Sequence, residues 1–361
     1  MTRIVVRSVF VLALVVVAAA AIGAFSVWQR VHAPYRGYDA PEQFVEVPPG
    51  AGAGDIGRRL MDAGVVRDAF SFRAALWWTG RARALQAGEY RFEGELTPLE
   101  VVDRIARGDV YTRRITFPEG LTIADMARLY ESREFGAEAA FLEAAGDGTL
   151  VKDLDPQAAD LEGYLFPDTY ALSRGTSAGR LVALMVSRFR AAYDSELQRQ
   201  AAEQGLTARQ VVTLASIIEK ETAKSEERRV VAAVFRNRLR IGMGLQTDPT
   251  VIYALQKAGR YDGNIRRADL AIDSPYNTYR HAGLPPGPIA APGRASLAAA
   301  LNPADVDYLY FVSRNDGSHV FSRTLQEHNQ NVRQYQILYF RERRAAERRA
   351  AEKENATQPG Q

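Results

Sequence analysis

Thr207-Ala208-Arg209-Gln210-Val211-Val212-Thr213-Leu214-Ala215-Ser216-Ile217-Ile218-Glu219-Lys220-Glu221-Thr222 reads as a single helix. Thr207 with Gln210 three positions later is a capping-box start, and Val211, Leu214, Ala215, Ile218 and Thr222 recur at helical spacing. On the neighbouring stripe Val212, Ala215, Ser216 and Glu219 fall at i, i+3, i+4 and i+7, which puts Glu219 at the edge of the buried face near the C-terminal end. Lost hydration and the negative end of the helix dipole favour the neutral form of a carboxyl group so placed, the form a general acid needs. Glu221 lies about 200° further around the helix, so the two carboxyl groups of this stretch do not share one site.

Downstream, a second helix is expected from about Ser225 to Arg240, closed by Gly242. Leu245-Gln246-Thr247-Asp248-Pro249-Thr250 then makes a loop and a restart, with Asp248 as N-cap and Pro249 at the first helical position. The stretches 273–279 and 283–289 are too rich in Pro, Gly, Asn and Ser for regular structure and read as the walls of a cleft. Gln246, Tyr276, Asn277 and Thr278 offer the aromatic faces and neutral polar groups that suit a sugar.

Upstream, Ser8 to Gln29 carries no charge and spans about 33 Å as a helix, enough for one membrane crossing, with Trp28 at an interfacial position. Residues 1–7 are expected in the cytoplasm and 30–43, with Pro34, Gly37 and Pro41, as a tether. Phe44 to Val47 then reads as a strand, Asp55 to Gly64 and Asp68 to Thr79 as helices, and Gly88 to Phe92 as a second strand. The stretch Ile115 to Gly120 followed by Asp125 matches Val45 to Gly50 followed by Asp55 at an offset of 70 residues, the pattern of a duplicated strand-turn-helix. Residues 341–361, rich in Arg, Ala and Glu, are expected to fray into a disordered tail.

Composition narrows the chemistry. The chain of 361 residues is 47% hydrophobic and 25% charged, which excludes wholesale disorder and a polytopic membrane protein; a net charge of +3 gives no bulk signal for nucleic acid. With no Cys there is no disulfide, thiolate metal site or Cys nucleophile. His32, His281, His319 and His328 lack helical metal-motif spacing, and no Gly-x-Ser-x-Gly elbow occurs. Neither a cofactor nor a metal is expected.

The motif text 214–222, Val234 to Leu239, Leu245 to Tyr253, Ser274 to Tyr279 and Gly283 to Ile289, together with Glu162 to Tyr170 and Tyr308 to Val312, resembles the endolytic murein transglycosylases, the MltG/YceG-like family. The resemblance implies an α+β fold: a membrane anchor at 8–29, a LysM-like βααβ unit at 44–112 and a helix-rich catalytic domain at 113–340. It implies that Glu219 is the catalytic acid, with Gln246, Thr247, Tyr276, Asn277 and Thr278 as substrate-binding candidates. It further implies a single-pass protein of the inner membrane whose periplasmic domain cleaves peptidoglycan glycan strands to 1,6-anhydro ends, with cell-wall synthases as possible partners. A muramidase-type hydrolase pairing Glu219 with Asp248 and a non-catalytic glycan-binding scaffold are the competing readings.

Overall fold

A computed structural model of the chain describes residues 2–357, and these form a helix-rich α+β protein that divides into two units. The first comprises residues up to Arg114 together with Ala171–Thr176. It begins with α1 (Thr2–His32), within which Phe10–His32 is long and apolar enough to cross a membrane. There follow β1 (Glu42–Val47), α2 (Ala53–Asp62), α3 (Ala69–Thr79), β2 (Gly88–Glu93) and α4 (Pro98–Arg107). β1 and β2 pair antiparallel with Val45 opposite Tyr90, so the strand-helix-helix-strand order anticipated for 44–92 is present. The boundaries follow local chemistry. Asp68 caps α3 by accepting the Ser71 N–H at 2.7 Å, and Gly80, with φ +67°, ends it in a conformation that costs other residues energy. Val45, Val47, Ile56, Leu60, Phe72, Leu76, Tyr90, Phe92, Val101 and Ile105 close the core.

α4, with its Thr97/Glu100 capping box and Pro98 in the first turn, was not anticipated from the sequence; its apolar face covers the core. The stretch expected as a tether is pinned instead. Val31 is fully buried in the core, Tyr35 exchanges two backbone hydrogen bonds with Leu96, and Gly37 donates to the carbonyl of Gly64 at 2.8 Å. Pro and Gly here make a closely packed turn rather than a flexible linker.

The chain repeats its plan in β3 (Thr112–Thr116), α5 (Ile123–Ser132), α6 (Glu138–Ala145) and β4 (Thr169–Ser173), with β3 paired to β4. α5 lies 70 residues after α2 at both ends, and the turn glycines Gly50 and Gly120 share a left-handed φ of +78° and +79°. The offset in the sequence is therefore a repeated supersecondary unit. The division between the two units falls within β3 and at the start of β4.

The second unit, Ile115–Tyr170 with Ser177 onward, continues through α7 (Ala178–Ala192), α8 (Ser195–Glu203), α9 (Ala208–Glu221), α10 (Arg228–Arg240), α11 (Asp248–Lys257) and α12 (Arg294–Leu301). β5 (Tyr310–Ser313) and β6 (His319–Ser322) form a hairpin, followed by α13 (Leu325–Val332), a π-helical stretch Arg333–Leu338 and α14 (Tyr339–Thr357). α9 starts at the expected capping box, Thr207 N–H to Gln210 at 2.9 Å and Gln210 N–H to Thr207 at 3.2 Å. Residues Val211 to Ile218 are all buried, so α9 is enclosed on nearly every side rather than along one stripe. The C-terminal stretch expected to be disordered is helical through Thr357, where good helix formers and pairs such as Arg343 to Glu347 at 2.9 Å support it; residues 358–361 lie outside the described residues.

Candidate active site

Two residues one turn apart on α9 hold the same loop. Ser216 Oγ accepts the N–H of Ile289 at 3.0 Å, and Glu219 Oε2 accepts the N–H of Gly293, the N-cap of α12, at 2.9 Å. Glu219 Oε1 lies 3.2 Å from the Arg228 Nη2 at the start of α10, and its side chain is only 5% exposed. The same Nη2 is 3.4 Å from Glu119 Oε2, on a side chain 45% exposed. Glu119 belongs to the Pro118-Glu119-Gly120 turn, which Lys220 Nζ grips through the carbonyl of Gly120 at 3.0 Å. Two backbone bonds of 2.8 Å each, Gly120 N–H to Ala291 and Ala291 N–H to Leu121, tie that turn to the 289–293 loop.

Glu119, Glu219 and Arg228 thus form one cluster against the N-terminus of α12. Burial and the adjacent Glu219 charge push the Glu119 carboxyl above its usual range, Arg228 pulls the other way, and a hydrogen bond to Glu219 adds to the rise. Gly293 has no room for a side chain, since a Cβ there would collide with Glu119 Oε1. None of Glu119, Arg228 and Gly293 stands out by periodicity. One signal was available: at the 70-residue offset Glu119 replaces Pro49, so the repeated turn acquires a carboxylate in its second copy.

Of the other sequence-derived candidates, Gln246, Thr247 and Asp248 gather around Glu221, and Tyr276, Asn277 and Thr278 belong to the adjoining loop. The Glu221 carboxyl is partly buried and accepts from the Thr247 hydroxyl; burial pushes it up to about 7, with Asp248 adding to the rise and Thr247, His319 and Arg238 opposing it. With Gln246, Thr247, Asp248, Arg238, Tyr279 and His328 it borders a cavity of about 350 Å³. Asp248 accepts from the Tyr279 hydroxyl at 2.7 Å. It is the first residue of α11 and Thr247 the N-cap, one position earlier than expected. Thr278 receives the Thr247 N–H at 3.1 Å and meets the Thr250 hydroxyl at 2.9 Å. Asn277 is fully buried, its amide donating to the carbonyls of Leu270 at 3.0 Å and Ile272 at 2.8 Å while its oxygen accepts the Tyr279 N–H at 3.0 Å. Tyr276 packs on Tyr253, with ring centroids 4.9 Å apart. Glu219 and Glu221 therefore face separate sites, as the helix phase required, but Glu221 is a partly buried group and not a solvated one.

A further, buried carboxyl, Glu162, receives the Ile123 N–H and the Tyr253 hydroxyl at 3.2 Å each, and burial first, then Asp160, pushes it up to about 8. It lines a cavity of about 630 Å³ with Thr122, Arg128, Asp160, Tyr253 and Lys257.

Comparison with known proteins gives the family of the chain. The endolytic murein transglycosylase of Bacillus subtilis is 32% identical over 310 residues, covering 81% of this chain and 84% of that protein. Its namesake from Streptococcus pneumoniae is 31% identical over 329 residues, but this chain spans only 58% of its length. The crystal structure of a yceG-like protein from Listeria monocytogenes superposes with a TM-score of 0.55 at 33% identity, over 80% of this chain and 98% of that one. The sequence pattern of the YceG-like family matches residues 45–334, which include Glu119, Glu162, Glu219 and Glu221, and the chain belongs to that family.

Proposed function

We propose that this protein is a lyase, an endolytic murein transglycosylase that cuts the bond between N-acetylmuramic acid and N-acetylglucosamine within peptidoglycan strands. The observation that carries the reading is the placement of Glu219, held by Gly293 and Arg228 with Glu119 beside it. Glu219 gives its proton to the glycosidic oxygen as the C1–O bond breaks and the bonding pair passes to that oxygen. It then takes the proton of the muramic acid 6-hydroxyl, whose oxygen bonds to C1. No water is consumed, and the carboxyl group regains its proton.

The carboxylate pair supports this over hydrolysis. Hydrolases keep their two carboxyl groups about 5 Å or more apart, with the sugar between them. Glu119 and Glu219 both turn to the same Arg228 Nη2, at 3.4 and 3.2 Å, and Asp248 is engaged at the cavity of Glu221. In this reading Glu119 sits beside the acid with its own carboxyl held above the usual range, and Arg228 is the cation that both side chains face. The loop candidates Gln246, Thr247, Tyr276, Asn277 and Thr278 shape the cleft chiefly by fixing the 273–279 loop.

α1 serves as an uncleaved anchor in the inner membrane, with the N-terminus cytoplasmic and the rest of the chain periplasmic. The βααβ unit at 44–112 acts as a LysM-like glycan-binding element, residues 113–340 form the catalytic domain, and cutting of nascent strands would end their elongation beside a cell-wall synthase. Digestion of purified glycan followed by mass spectrometry tests the chemistry. Fragments ending in 1,6-anhydromuramic acid are expected, absent with Glu219→Gln; reducing ends heavier by one water would instead establish a hydrolase.

A further inference from the structure

α3 carries aromatic side chains that its own unit does not cover. Ser71, Phe72, Ala75 and Leu76 face the core, while Phe70, Arg73, Trp77 and Trp78 form a stripe at helical spacing on the outside, with Trp77 80% and Trp78 52% exposed. Two adjacent Trp rings left open to water are costly for a protein surface and mark a contact with something apolar.

The position of α3 relative to α1 points to what that is. Asp68, at the start of α3, pairs with Arg30 at 3.4 Å, and Trp78, near its end, meets the ring of His32 edge-on at 6.3 Å. The two contacts lie about 15 Å apart along α3 but only about 3 Å apart along α1. α3 therefore runs across the last turn of α1, not alongside it. Because Val31 is locked into the core of the unit and Val27 packs against it, α1 enters that unit as one rigid helix, and α3 is held at a set height above the apolar span. Trp78 also continues a ladder of rings that climbs α1, Phe25 to Trp28 at 6.0 Å and Trp28 to His32 at 4.7 Å. Phe25, Trp28 and Trp78 are all exposed, so the ladder is open along its length. Arg73, within the stripe, and Arg83 just beyond it are exposed and make no ion pair among the described residues.

We infer that α3 is an interfacial helix, its Phe70–Trp77–Trp78 face lying in the headgroup and acyl boundary of the membrane that α1 spans and its arginines on anionic lipid headgroups. Trp belongs at that level because its ring is apolar and its N–H is a donor, and basic side chains there reach lipid phosphate. The inference rests on α1 being retained as the anchor. It gives the first unit a fixed orientation on the membrane, which a single spanning helix with a flexible tether would not.

The test uses the full chain reconstituted in phosphatidylcholine/phosphatidylglycerol vesicles, with and without acyl-chain bromination, which quenches Trp at the boundary. Trp28, Trp77 and Trp78 are the only tryptophans. Trp28→Phe leaves the two α3 rings as reporters, and the double variant Trp77→Phe/Trp78→Phe leaves Trp28 alone. Phe retains the ring in each case, so the fold is preserved. The expected result is loss of α3 fluorescence in brominated vesicles as large as that of Trp28, with little quenching by iodide. If Trp28 is quenched while the α3 pair is insensitive to bromine and open to iodide, the anchor stands and the interfacial helix is refuted. If neither is quenched by bromine, α1 is not in the bilayer and both fall.

Discussion

Glu219 accepts the backbone N–H of Gly293 at 2.9 Å, and the same glycine leaves no space for a side chain beside Glu119. One residue thereby sets the position of both carboxyl groups, one through its N–H and the other through its lack of a Cβ. Gly293 has φ −76°, an ordinary conformation for any residue, so Gly293→Ala should leave the backbone unstrained while driving Glu119 away from Arg228. Glycan cleavage should fall about ten-fold or more with little change in melting temperature, a displacement cost typical of misplaced catalytic groups. Wild-type rates in this variant would show that Glu119 need not be where the structure has it.

Glu219→Gln keeps the shape of the side chain but has no proton to deliver. Loss of roughly 10²-fold or more in cleavage is expected, the usual contribution of a general acid, with an unchanged melting curve. Activity within a few-fold of wild type in folded protein would remove Glu219 from the mechanism.

Glu119→Gln should act differently, through the pH dependence of the rate. Burial and the Glu219 charge hold the Glu119 carboxyl above its usual range, and Glu119→Gln removes that group from the titration while leaving Glu219 in place. The limb of the kcat/KM profile that reports Glu119 should therefore vanish in the variant, leaving a simpler pH dependence. A profile of unchanged shape, merely scaled down, would reduce Glu119 to a structural role.

Glu162 and Glu221 make stability depend on pH in the direction opposite to an ordinary salt-bridged carboxylate. Their folded values, about 8 and about 7, lie above the usual 4.5, so the native state holds protons that the unfolded chain has released. The stability they contribute is complete below about pH 4.5 and is lost as pH rises toward 7 and 8. Glu162→Gln should flatten that decline and gain stability relative to wild type above pH 7, each tenfold difference in proton affinity between the folded and unfolded chain being worth about 1.4 kcal/mol. Urea midpoints measured across this interval decide it; equal slopes for wild type and variant would mean that Glu162 is ionised in the fold.

Asn277→Ala should destabilise the protein by roughly 1–3 kcal/mol, because it strands the buried carbonyls of Leu270 and Ile272 and the N–H of Tyr279. Denaturant titration measures the loss. If stability is unchanged while substrate affinity drops, Asn277 is a sugar ligand and not a fastener of the loop.

Much of the molecule is legible in the order of its residues. The apolar run before Arg30, the capping box at Thr207, the phase separating Glu219 from Glu221, the first βααβ unit and the 70-residue repeat all depend on neighbours within a few turns, where spacing and side-chain chemistry act directly. Periodicity also put Glu219 at the end of a buried helix, which made it a candidate before any partner was known. The pairing of Glu219 with Glu119, 100 residues earlier, and with Gly293, 74 residues later, came only from the packing of α9 against the turn of Gly120 and the start of α12. Burial of Glu221 and Asn277 likewise followed from chain segments far apart in sequence closing over them. Local pattern governs which elements form because their hydrogen bonds are short-range; which polar groups meet inside is decided by three-dimensional packing, where each buried donor and acceptor must find whatever partner the fold brings to it.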